Sequence, residues 1–190
     1  MEEIKKRLAV CELKNDKIRQ LSPATDEEIK TLQSYFSLPL PEELITFYKT
    51  IGGIESEDIF TIAHPKNTIN WMQKQTEESQ GLIDQIISFW SNDRYELQEF
   101  IFFTEEETED INNALQCIGW ISAREDQHQG AEFIVFDKNG NFMNLHSHQE
   151  FFEDFADEIL GLLESGLPKR SLENVLEEVI ERAEGKLSRW

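Results

Sequence analysis

The chain has 190 residues, with 18 Lys and Arg against 38 Asp and Glu for a net charge of −20, and a mean hydropathy of −0.51. That length suits one sizeable core with appendages, and 39% apolar residues, 13 Phe and 4 Trp among them, supply ample material to bury. The charge argues against direct binding of nucleic acid or anionic membranes; no run reaches the ~18 apolar residues of a spanning helix, and the N-terminus lacks a secretory apolar core, so a cytoplasmic protein is expected.

Ile4, Leu8 and Cys11 fall at helical spacing and predict a short first helix, ended by the turn-like Lys14 to Lys17. Thr25-Asp-Glu-Glu28 reads as a capping box, and Ile29, Leu32 and Phe36 give the helix behind it an inner face. After the short connection Ser37 to Leu40, Pro41 suits the first helical position, because its φ is already helical and its missing N–H would go unpaired there. Glu42 and Glu43 meet the positive end of the dipole; Leu44, Phe47, Tyr48 and Ile51 follow at i, i+3, i+4, i+7; Lys49 lies in the last turn; and Gly52 and Gly53 supply a left-handed exit.

Beyond Gly53 the pattern turns to short strands: Ile59 to Ala63, Phe100 to Phe103, and Gln116 to Ile121, with a helical candidate from Gly81 to Trp90. Glu132 to Asp137 and Phe142 to His146 form the clearest hairpin, joined through Lys138-Asn139-Gly140-Asn141. Ser147-His-Gln-Glu150 reads as a second capping box before Phe151, Phe155, Ile159 and Leu162, with an end near Gly166. Ser171 caps a last helix whose Leu172, Val175, Leu176, Val179, Ile180 and Ala183 repeat at 3.6 spacing. That stripe has two uses, covering the core or joining a second copy of the chain as a homodimer, and its pattern does not distinguish them.

Leu38-Pro-Leu-Pro41 with Glu42, Leu44, Phe47-Tyr48 and Gly52-Gly53, preceded by a capped helix and followed by short strands, resembles the SUKH superfamily, which contains the yeast cell-wall assembly regulator and many bacterial immunity proteins. Phe133 to Gly140 and the later Phe-rich helix look like that family's central hairpin and closing helix. The resemblance is clearest over residues 25–165. Members often carry Gly and Asp after the Ile-Gly of the central strand, where this chain reads Ile118-Gly119-Trp120-Ile121-Ser122. The fold expected is α+β: an antiparallel sheet flanked by helices in a single domain over residues 1–166, with residues 167–190 an extra amphipathic helix packed on it.

The acids are uneven. Residues 1 to 30 balance seven against seven, whereas from Glu77 to Glu158 there are 20 acids and three bases, Arg94, Arg124 and Lys138, a local balance of −17. Such a field speeds association with a basic partner. The resemblance implies a non-enzymatic immunity-type protein that neutralises a toxin domain, and the acids imply a basic one, for instance a nuclease; the alternative is an intracellular scaffold of the regulator kind. Glu105, Glu106, Glu107, Glu109 and Asp110, supported by Glu125 and Asp126, are the expected partner surface.

No catalytic constellation stands out. His146, His148, Glu150 and Asp154 contain metal-ligand types, but they straddle a junction and read as surface or capping residues, so no metal or cofactor is expected. His64 and His128 sit in loops. Cys11 and Cys117 read as buried thiols, with a disulfide between them left open. Trp71, Trp90 and Trp120 are core candidates, any of which would become an interface anchor if it proved exposed among the acids.

Overall fold

Phe133-Ile-Val-Phe136 is apolar at four successive positions, and because side chains alternate across a strand, such a run is stable only when both faces of the sheet are covered. The computed structural model, which describes residues 1–14, 18–56, 60–72, 103–122, 130–148 and 152–184, provides that cover. Six strands, β1 (Ile18–Gln20), β2 (Ile54–Ser56), β3 (Phe60–Ile62), β4 (Leu115–Ser122), β5 (Gly130–Asp137) and β6 (Phe142–His148), form one antiparallel sheet in sequence order. Seven helices are described: α1 (Glu2–Lys14), α2 (Asp26–Tyr35), α3 (Glu42–Thr50), α4 (Pro65–Met72), α5 (Glu105–Ala114), α6 (Phe152–Ser165) and α7 (Leu172–Ala183). The fold is α+β.

The alternation of β5 divides the interior in two. Ile134 and Phe136 point into a first core with Ile118 and Phe142, under α1, α2, α3 and α7. Phe133 and Val135 point into a second core with Leu115, Cys117 and Leu145, under α5 and α6. Cys11 lies in the first core and Cys117 in the second, so the sheet separates them and no disulfide joins them.

The segment resembling the SUKH motif is built into the first core. Leu44, Phe47, Tyr48 and Ile51 are 0 to 1% exposed. Pro41 stands one position earlier than the sequence predicts: its backbone is extended (ψ 147°), and as the N-cap its carbonyl accepts from the Leu44 and Ile45 amides at 3.0 Å. The two glycines do different work. Gly52 alone takes the left-handed conformation, at φ +84°. Gly53 is needed for close approach, since a β-carbon there would stand 2.8 Å from the Ile62 carbonyl oxygen, while its own carbonyl accepts from Leu21 N–H at 2.9 Å. Glu43 also reaches beyond its own helix: its carboxylate accepts from the Leu172 amide at 2.7 Å and satisfies a free donor at the start of α7. Ser171 caps that helix too, its hydroxyl accepting from Asn174 N–H at 3.1 Å.

Leu172, Val175, Leu176, Val179 and Ile180 of α7 are all 0 to 1% exposed within this one chain. At roughly 1.5–3 kcal/mol each, the stripe contributes on the order of 10 kcal/mol of gross transfer free energy, so α7 closes the core. The stripe is therefore not available to a second copy. Residues 167–184 contribute to both cores, as Leu167 lies in the second and Leu172 in the first.

Other expectations shift. β1, β2 and α4 leave no clear mark in the sequence pattern, because three-residue strands carry too little periodicity and α4 is opened by His64, whose carbonyl accepts from Asn67 N–H at 2.8 Å and whose Nδ1 accepts from Lys66 N–H at 3.1 Å. Ser147 and His148 are not a capping box: β6 runs on through His148, with Ser147 opposite Ala131, and the following helix begins at Phe152. Phe103 is buried but belongs to no strand, and the expected helix over Gly81 to Trp90 lies outside the described residues. The β5–β6 hairpin stands as expected. Gly140 takes φ +75°, and the buried Asp137 carboxylate holds the turn by accepting from the Asn139 and Asn141 amides at 2.9 Å.

Candidate functional site: an acidic helical layer

Thr104 opens α5 with a complete capping box: its hydroxyl accepts from Glu107 N–H at 3.2 Å, and the Glu107 carboxylate accepts from Thr104 N–H at 2.7 Å. Two bonds to that carboxylate, from the Thr104 N–H first and then from the Thr104 hydroxyl at 2.9 Å, hold the Glu107 carboxyl below the usual carboxylate range. Glu107 thus serves the helix itself as the carboxylate of its capping box. Ile111 turns inward, 0% exposed, which directs Glu105, Glu106, Glu109 and Asp110 to solvent. None of these four makes an ion pair among the described residues. Two pairs, Glu105 with Glu109 and Glu106 with Asp110, stand at i, i+4, where like charges destabilise a helix by roughly 0.2–0.5 kcal/mol.

The neighbouring α6 extends this surface. Ala156 and Ile159 are buried beside Ile111 in the second core, while Asp157, Glu158 and Glu164 are exposed. Partial burial raises the Glu158 carboxyl above its ordinary value, and His146 opposes that shift. Neither α5 nor α6 contains a lysine or arginine. Every helix of the opposite layer contains at least one, and carboxylates there are partly neutralised, as in Lys49–Asp26 at 2.7 Å, Arg170–Glu178 at 2.6 Å and Arg7–Glu184 at 3.6 Å. Among the described helices, the negative charge is therefore least neutralised on the second-core side of the sheet. Glu125 and Asp126 lie outside the described residues.

Trp120 departs from the core position expected of it. Strict alternation along β4 would place it with Ile118 in the first core, but a bulge between Cys117 and Gly119 sets Ile118 and Gly119 on the same side and moves Trp120 opposite Phe133, on the second-core side. There it is 37% exposed. Gly119 makes the bulge sterically possible, since a β-carbon would stand 2.2 Å from the Thr61 carbonyl oxygen. A glycine inside a strand pattern, between Ile118 and Trp120, was the signal available in the sequence.

Among the described residues no three of His, Cys, Asp and Glu come together in a way that could hold a metal ion. His146 is exposed on β6, opposite Glu132; Glu150 and His128 lie outside the described residues. Burial pushes the Cys117 thiol up to about 12, far from a nucleophile's range. Comparison with protein-family models, with curated proteins and with solved structures finds no match for this chain. Among the described residues no helix is long and apolar enough to cross a membrane.

Proposed function

We propose that this chain is a non-enzymatic, SUKH-like protein-binding domain of the immunity type, which neutralises a basic toxin domain through the acidic layer of α5 and α6. The observation that carries the reading is the segregation of charge: two adjacent helices without a single cation cover one side of the sheet, and α5 keeps like-charge pairs that give the fold nothing. Surplus carboxylates on a rigid helical pair steer a cationic surface into contact and can occupy a groove built for phosphates. The motif-like segment supports the same reading indirectly, since it is consumed in packing and leaves binding to the other layer.

The test uses a basic toxin domain, sought in the reading frames adjacent to this chain's own. Replacing Glu105, Glu106 and Glu109 by Gln and Asp110 by Asn should lower the association rate by about tenfold or more at low salt, with a smaller change in dissociation. Raising salt from about 0.05 M to about 0.5 M should slow the wild-type association toward the variant's rate. Unchanged rates in both comparisons would sink the reading.

A further inference from the structure

We draw no further inference here: the strongest candidate, the side-chain cluster between β5, β6 and α7 in which the Asn144 amide donates to Glu132 at 3.1 Å and to Glu178 at 3.4 Å, carries nothing, because Arg170 already pairs with Glu178 at 2.6 Å and nothing among the described residues shows what two carboxylates held by one amide would bind.

Discussion

A β-carbon added to Gly52 would lie 1.8 Å from the Ser22 carbonyl oxygen, 2.5 Å from its carbon and 3.1 Å from Pro23 N, at a residue whose φ is +84°. Gly52→Ala thus meets two separable penalties. The left-handed conformation costs a β-carbon roughly 1–2 kcal/mol, and overpacking against backbone that cannot rotate away costs roughly 1–3 kcal/mol more. The sum, about 2–5 kcal/mol, is a large part of the roughly 5–15 kcal/mol that separates a folded domain from its unfolded chain. For a chain of this size it corresponds to a fall in melting temperature on the order of 10 °C. Three other glycines dissect the sum. Gly140→Ala has φ +75° but meets only the Pro41 ring, Cβ at 3.4 Å and Cγ at 3.8 Å, so it should cost about 1–2 kcal/mol through conformation alone. Gly119→Ala lacks the positive φ but meets Thr61 O at 2.2 Å, so it should cost about 1–3 kcal/mol through contact alone. Gly161→Ala, inside α6 with nothing within 4 Å, should stabilise by roughly 0.5–1 kcal/mol. Urea unfolding followed by circular dichroism measures all four. Should Gly52→Ala cost no more than Gly140→Ala, the exit of α3 is not wedged against Ser22, and the packing account of the motif is wrong.

Burial raises the Cys117 thiol from its ordinary 9.0 to about 12, and burial likewise raises the Tyr48 hydroxyl. Both groups favour the protonated form when folded, so their contribution is complete below about pH 9 and is lost as pH rises toward 12; melting temperature should fall across that window, and less steeply in Cys117→Ala. In the folded protein neither Cys11 nor Cys117 should react with a maleimide at neutral pH, whereas both should react promptly in denaturant; fast labelling of the native chain would contradict their burial at 5% and 6% exposure. Glu43→Ala should cost about 1–3 kcal/mol although Glu43 stands in an exposed first turn, because it strands the Leu172 amide at the start of α7; hydrogen exchange at Leu172 should quicken in that variant and in no neighbouring one. Glu109→Lys should stabilise α5 by roughly 0.3–0.5 kcal/mol through a new pair with Glu105, yet slow association with a basic partner; a stability gain without that loss would count against the acidic layer as the working surface.

Local chemistry determined much of this protein from sequence alone. Capping residues and 3.6-residue spacing specify α2, α3 and α7 because the signals lie within one turn of the groups they satisfy, and alternation with a Gly-containing turn specifies the β5–β6 hairpin for the same reason. The acids of α5 were legible as a cluster, whereas the helix that carries them, its Thr104 cap and the buried Ile111 that turns them outward came from the structure. Tertiary structure decided what depends on partners distant in the chain. Glu43 caps a helix 129 residues away; α5 and α6 share one core and so merge two acidic segments into a single layer; and the bulge at Ile118 reverses the side on which Trp120 stands. That last reversal marks the physical limit of pattern reading, because one inserted residue inverts every later position in a strand and only the neighbouring strand reveals where the insertion falls.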